Sequence, residues 1–187
     1  CATGLSTDAT AITLPVTDVA DLEAYEGMLV TIDQPLVVNN NYGLGRYGEV
    51  DLGTERLYQG TQIALPGDAA NAVEAENLKK QILIDDGSTK QNLDPIAYPG
   101  TGLDAYNTLR LGDTVNTITG VMGYSFDRYR IHPTVQPEFT ATNPRTDAPE
   151  LNEDADLRVA SFNVLNYFNG DGQGAGFPTS RGADSEE

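Results

Sequence analysis

The strongest constraint on the fold comes from short β-branched runs, interrupted by glycine and turn residues, over residues 27–135. The clearest run is DTVNTITGVMGYSFDRYRIHPT, in which Gly120 and Gly123 mark points where a strand can bulge or coil sharply. A turn over 125–128 would send the chain back antiparallel. This pattern predicts strands of uneven length that close on themselves.

Three further runs, GMLVTIDQPLVV, GEVDLG and QILIDDG, predict the remaining strands. Pro35 within the first of them suits a bent or edge strand. The segment GDAANAVEAENLKKQ favours a helix with Asp68 as its N-cap, and residues 87–111 are loop-like. We therefore predict an all-β fold, a five-stranded OB-like barrel with one short helix that precedes the third strand.

Acidic residues are concentrated in the flanks of the chain. The formal net charge is −17, yet residues 27–146 carry fourteen acids and nine bases, a net of −5. Residues 1–26 hold five acids and no base, and are interpreted as an N-terminal extension with an edge strand and a short turn of helix capped by Asp18 or Asp21. Such flanks are typical of solvated, flexible segments.

A domain boundary is predicted after the barrel. Residues 136–156 are rich in proline and acidic residues and lack an apolar period, which indicates a linker. The run LRVASFNVLNYF then begins at Leu157 and is mainly apolar, as expected for a strand buried on both faces. A glycine-rich tail follows this run and extends to residue 187.

The run at 157–168 resembles the opening strand of the endonuclease/exonuclease/phosphatase superfamily, on the pattern Ser161, Phe162, Asn163, Val164. In that family the Asn lies beside the metal and the phosphate, so the resemblance implies a catalytic position at Asn163. A carboxamide can accept a hydrogen bond from metal-bound water and donate one to a phosphate oxygen.

The continuation NYFNGDG…GFPTSRGADS is similar to secreted bacterial nucleases of this superfamily, in which an OB-like domain precedes the nuclease domain. The resemblance covers about residues 25–185 and implies that residues 157–187 are the truncated start of an α/β nuclease domain, its isolated first strand. It implies a secreted, extracellular parent enzyme that hydrolyses phosphodiesters with a divalent metal, Mg or Ca. The metal-binding Glu, the Asp/His pair and the second Asn motif lie further downstream in that family, so we expect this fragment to be inactive and without a cofactor.

Aromatic and basic residues occur together at two places in the predicted barrel, and OB barrels bind single strands by stacking bases on aromatics while cations contact phosphates. Tyrosines could instead be ordinary sheet residues, with the arginines paired to Glu49, Asp51 and Asp127. The candidate nucleic-acid-binding residues are Tyr42, Arg46, Tyr47, Tyr124, Phe126, Arg128, Tyr129 and Arg130.

Several other chemistries are excluded or disfavoured by the composition. A single cysteine cannot form an intrachain disulfide, and His132 as the only histidine rules out a histidine-rich metal site or a Ser/His/Asp triad within this chain. The acids at 153–156 lack the spacing of a calcium loop. No run is long and apolar enough to span a membrane.

Two functions remain open at this point. The first is an accessory domain that positions DNA or RNA, single-stranded or duplex, for a downstream nuclease domain of the same chain. The alternative is a structural or protein-interaction spacer without nucleic-acid contact, which the negative charge favours.

Overall fold

A computed structural model describes residues 7–100 and 102–161 of the chain. The chain divides into two units, Cys1–Arg145 and Thr146–Glu187. The described residues of the first unit form seven strands and four helices, whereas residues 146–161 of the second contain neither. The strands are β1 (Thr10–Ala11), β2 (Leu29–Asn40), β3 (Glu49–Gly53), β4 (Gln81–Asp85), β5 (Thr114–Ser125), β6 (Arg128–Pro133) and β7 (Phe139–Thr140). The helices are the 3-10 helix η1 (Val19–Tyr25) and the α-helices α1 (Leu44–Tyr47), α2 (Gly60–Ile63) and α3 (Asp68–Lys79).

Five of the strands pair in a closed ring, in the order β2, β3, β4, β6, β5 and back to β2. All pairings in this ring are antiparallel except β4 with β6, which is parallel. The long strand β2 can serve two partners because its register with β5 shifts between Asp33 and Leu36, on either side of Pro35. Proline has no N–H to donate to a neighbouring strand, so a bend at this point costs no ladder hydrogen bond.

The core lies inside the ring and follows from the alternation of side chains along each strand. Val50 and Leu52 of β3 point inward and are fully buried, and so are Ile84 of β4 and Ile131 of β6. The intervening residues of these three strands lie on the outer face, where the charged residues of the sheet are found.

The N-terminal segment packs against this core and is not a solvated extension. Strand β1 pairs in parallel with β2, and the core includes Ile12, Leu14 and Leu22. Asp18 caps η1 and accepts a hydrogen bond from the backbone N–H of Ala20 at 2.9 Å. It is one of the two residues that the sequence predicted as the cap. The acidic composition of 1–26 was misleading because three apolar residues among the acids, Ile12, Leu14 and Leu22, are buried in the core.

The C-terminal edge of the first unit also extends further than predicted. Strand β7 pairs with β5, and the Phe139 ring contacts Tyr98 edge-on at 6.0 Å between centroids. Asn143 donates from its side chain to the carbonyl of Leu111 at 2.7 Å and from its backbone to Asp113. Residues 136–143 of the predicted linker therefore belong to the folded body.

The predicted all-β-dominated fold is confirmed in this broad form, with differences of detail. Beyond the edge strand and the helical turn expected in 1–26, the structure adds β7, α1 and α2 to the prediction, because two-residue strands and single helical turns leave almost no periodic signal. Asp68 begins α3 and Gly67 is its N-cap, so the predicted cap is displaced by one residue. Leu157 and Val159 are exposed, and 157–161 form no strand; the rest of the predicted nuclease strand lies outside the described residues.

In the part of the chain that the structure describes, none of the helices has the length and apolar character that crossing a membrane requires.

Candidate functional site

The tight turn between β5 and β6 presents an aromatic ring to solvent. Ser125 pairs with Arg128, so only Phe126 and Asp127 connect the two strands. Both have positive φ, 51° and 57°, which is the conformation that a type I′ hairpin turn requires. A bulky residue rarely adopts this conformation, yet Phe126 does so while 89% exposed. A strained and exposed aromatic residue is a feature that packing alone does not explain.

The connection between β2 and β3 presents a second aromatic side chain. Helix α1 ends at Tyr47, and Gly48 follows with a φ of 70°, which allows the chain to enter β3 directly. The guanidinium of Arg46 lies 5.2 Å from the centroid of the Tyr47 ring, and its Nε donates to Gln91 Oε1 at 2.9 Å. Tyr42 at the start of this connection is 93% exposed.

These two connections flank a cleft of about 430 Å³ on the outer face of β3, β4 and β6, which we call the aromatic cleft. Tyr47 contributes from one connection and Phe126 from the other, with Leu83 of β4 as an apolar lining residue. The lining consists of Tyr47, Glu49, Leu83, Gln91, Phe126, Arg128 and Arg130.

Arg130 is the buried cation of this cleft, with only 3% of its surface exposed. Its Nη1 donates to Glu49 at 2.8 Å and to Asp85, and its Nη2 donates to the carbonyl of Ser125 at 2.9 Å. The guanidinium also lies 5.6 Å from the centroid of the Phe126 ring. Because two carboxylates neutralise it, Arg130 supports the cleft and is not available to a phosphate.

Arg128 is the more accessible cation. Its side chain is 40% exposed and forms an ion pair with Asp51, which is nearly buried. The hypothesis that the arginines pair with sheet carboxylates is therefore confirmed for Arg128 with Asp51 and for Arg130 with Glu49. Asp85 is an additional partner that the sequence did not suggest.

A second cleft of about 300 Å³, which we call the side cleft, lies on the other side of Arg128. Tyr124 and Tyr129 line it with their rings 4.7 Å apart. The hydroxyl of Tyr129 donates to Glu23 Oε2 at 2.9 Å. This hydrogen bond to a carboxylate raises the pKa of Tyr129 to about 12, so the phenol is neutral and holds its position at ordinary pH.

His132 lies beyond Arg130 on β6, and its Nδ1 is 3.5 Å from Asp85 Oδ1. Next to Asp85, partial burial raises the pKa of the Asp86 carboxyl, and the charge of Asp85 adds to this increase. The backbone N–H of Ser88 opposes it by donating to Asp86 at 2.7 Å, and His132 opposes it as well. This end of the face is therefore rich in mutually repelling carboxylates.

The structure brings together most of the candidate nucleic-acid-binding residues. The aromatic cleft includes Tyr47, Phe126, Arg128 and Arg130, and the side cleft includes Tyr124, Arg128 and Tyr129. Tyr42 and Arg46 line neither cleft, although Arg46 contacts Tyr47. Sequence reasoning missed Leu83 and Gln91, which have no distinguishing signal in the sequence because only the pairing of distant strands places them here.

A family model described as Domain of unknown function (DUF8508) matches residues 6–144. The chain belongs to this family. Comparisons with curated proteins and with solved structures found no match. The DUF8508 region contains both clefts, whereas Asn163 lies beyond it and outside the described residues.

The DUF8508 domain does not provide a metal centre in its described part. Within residues 7–100 and 102–161, no three His, Cys, Asp or Glu side chains are grouped so that they could hold an ion. Glu49 and Asp85 are close to each other but both are bound to Arg130, which occupies the position that a cation would take. A divalent metal does not fit these residues.

Proposed function

We propose that this chain is an accessory domain that binds single-stranded nucleic acid for a secreted, metal-dependent nuclease. The observation that carries the proposal is the placement of Tyr47 and Phe126 on two separate connections that line one cleft. Base stacking on such aromatic side chains contributes about 1 to 3 kcal/mol per base and tolerates any base.

The strand order supports the assignment of the ring to the OB type. Counting β2 as its first strand, the ring runs first, second, third, fifth, fourth and back to the first. OB folds bind oligonucleotides over their second and third strands, between the connection of strands one and two and that of strands four and five. In this chain those connections carry Tyr47 and Phe126, and the second and third strands supply Glu49 and Leu83 to the cleft.

Single strands suit the cleft better than duplexes. Stacking requires the face of an unpaired base, which a duplex does not offer. A duplex binds mainly through its phosphates, and the two arginines of the aromatic cleft are already paired with carboxylates. The negative net charge weakens any purely electrostatic attraction further.

The link to a nuclease rests on the resemblance around Asn163, the position that the endonuclease/exonuclease/phosphatase superfamily uses beside metal and phosphate. We propose that catalysis and the divalent metal belong to the nuclease domain that this strand opens. The proposed contribution of the DUF8508 domain is to hold an unpaired segment near that domain. The single-strand proposal for the clefts does not depend on the nuclease assignment.

A spacer without nucleic-acid contact is the second candidate, and one observation favours it. All three ion pairs of the outer face neutralise the cations that a phosphate would need, as in a sheet whose surface charges serve stability. The exposed Phe126 with its strained backbone has no explanation in that case.

The experiment is a fluorescence anisotropy titration of a labelled eight-nucleotide single strand with the full chain at low salt. We expect saturable binding, and Phe126→Ala or Tyr47→Ala should each weaken it about five-fold or more, the lower limit for the loss of one stacked base. Tyr106→Ala is the matched control because Tyr106 is fully exposed in a loop and lines neither cleft.

Binding that responds equally to the cleft variants and to Tyr106→Ala would contradict the proposed site. No binding of single strand or duplex at low salt, with or without divalent ions, would reject the proposal in favour of the spacer.

A further inference from the structure

The two clefts are neighbours that share part of their lining. The aromatic cleft lies on the outer face, whereas Tyr124 and Tyr129 of the side cleft are on the same side of the sheet as Met122 and Ile131 of the core. Leu83 and Arg128 line both of them. The aromatic cleft is the larger, at about 430 Å³ against about 300 Å³ for the side cleft. A ligand that leaves one cleft past Arg128 therefore enters the other without crossing the body of the domain.

Each cleft has its own exposed aromatic side chain. In the side cleft this is Tyr124, which is 46% exposed and packs at a tilt of 52° on Tyr129. Tyr129 is in turn tied to Glu23 of η1 by its hydroxyl. Tyr124 thus rests on a fixed neighbour and keeps part of its surface open, as Phe126 does above Arg130 in the aromatic cleft.

Arg128, which lines both clefts, is able to contact a phosphate. Arg128 forms one ion pair, with Asp51, and its side chain is 40% exposed. A guanidinium has five N–H donors, so a single carboxylate leaves it able to contact a second anion. Asp127 lines the side cleft, and its carboxylate repels phosphates. This repulsion limits the site to one well-placed phosphate.

We propose that the two clefts form a two-base frame, in which consecutive bases of a single strand occupy them and the phosphate that joins these bases contacts Arg128. This inference rests on the proposed function and specifies its smallest complete ligand, a dinucleotide. One stacked base in each cleft requires about equal contributions from Phe126 and Tyr124, and a third base finds no aromatic side chain in either lining apart from Tyr47 and Tyr129, each of which shares a cleft with one of these two residues.

The test is an NMR titration of the full chain with thymidine mono-, di- and trinucleotides. Affinity should rise about 5- to 150-fold from mono- to dinucleotide, the value of one stacked base, and less than about threefold from di- to trinucleotide. Tyr124→Ala should abolish the first increase, whereas Tyr124→Phe should retain it. Phe126→Ala should likewise abolish the first increase.

Equal increases at each added nucleotide, or a mono-to-dinucleotide increase that survives in a folded Tyr124→Ala variant, would overturn the frame while single-strand binding stands. Absence of binding by every ligand, including the eight-nucleotide strand, would overturn the proposed function and the frame together.

Discussion

The outer face of β6 has two regions that consist of the same residue types and behave differently. At the turn end, Arg128 and Phe126 are accessible, and the arginine has one carboxylate partner. One step inward, Arg130 is buried and contacts Glu49, Asp85 and the Ser125 carbonyl. The first region can receive a ligand, whereas the second holds β3, β4 and β6 together.

The difference shows that depth, and not residue type, decides what an arginine does in this sheet. A buried ion pair is costly to break because the remaining charge stays unpaired in a medium of low polarity. An exposed pair is screened by water and contributes little. The two arginines are two residues apart on one strand, so they are matched for chemistry and for backbone.

The largest effect should come from Arg130→Ala. Removing this guanidinium leaves Glu49 and Asp85 next to each other without a cation, and we expect a loss of about 3 kcal/mol in the free energy of unfolding. Arg128→Ala, the matched control, should cost less, about 1 kcal/mol, because its side chain is 40% exposed and Asp51 keeps a hydrogen bond from Asn40 at 3.0 Å. Urea unfolding followed by circular dichroism measures both.

Equal losses for the two variants would remove the distinction between the regions. The binding assay should rank the two variants in the opposite order. Arg128→Ala should lower dinucleotide affinity more than Arg130→Ala does.

A smaller effect of opposite sign is expected for Phe126→Asn. Asn adopts a positive φ readily and is favoured in type I′ turns, so relief of the strain at a φ of 51° should outweigh the lost contact with Arg130. We expect the free energy of unfolding to rise by about 0.5 to 1 kcal/mol, while single-strand affinity falls as it does for Phe126→Ala. A variant that loses stability as well as affinity would show that the ring serves packing.

The smallest effect concerns the acidic end of the face and depends on pH. The pKa of Asp86 is raised in the folded state, mainly by burial, so folding disfavours its charged form. Its contribution to stability is therefore present below the unfolded pKa and is lost as pH rises through the folded pKa. Asp86→Asn should stabilise the protein at pH 7 by about 0.5 kcal/mol or less and should have no effect near pH 3.

Thermal unfolding of Asp86→Asn at both pH values measures this difference. The asparagine carbonyl can still accept from the backbone N–H of Ser88, so that hydrogen bond does not confound the comparison. Destabilisation by Asp86→Asn at pH 7 would contradict the raised pKa of Asp86 in the folded state.

Much of the sheet could be predicted from the sequence because β-branched runs and turn residues are local signals. The strands from Leu29 to Pro133, the β5–β6 turn and the position of α3 before the third ring strand all follow from such runs. Strand β7 and the core residues of 1–26 could not be predicted, since two or three apolar side chains give no period and their burial depends on partners far along the chain.

The candidate site could likewise be predicted only in part from the sequence. The aromatic and basic residues were found as clusters because they are close in sequence. Their roles were not, since Arg130 is separated by 45 residues from Asp85 and by 81 from Glu49. Which arginine is buried is decided by those distant partners, and alternation along β6 places Arg128 and Arg130 on one face without distinguishing them.

The salt dependence of single-strand affinity tests the central claim most directly, namely that the clefts bind bases by stacking, with the buried arginine already neutralised. Each phosphate contact contributes a slope of about −0.7 to a plot of log affinity against log salt concentration. With Arg128 as the phosphate contact, the eight-nucleotide strand should give a slope of about −0.7. A slope steeper than about −3, or no measurable affinity at low salt, would contradict it.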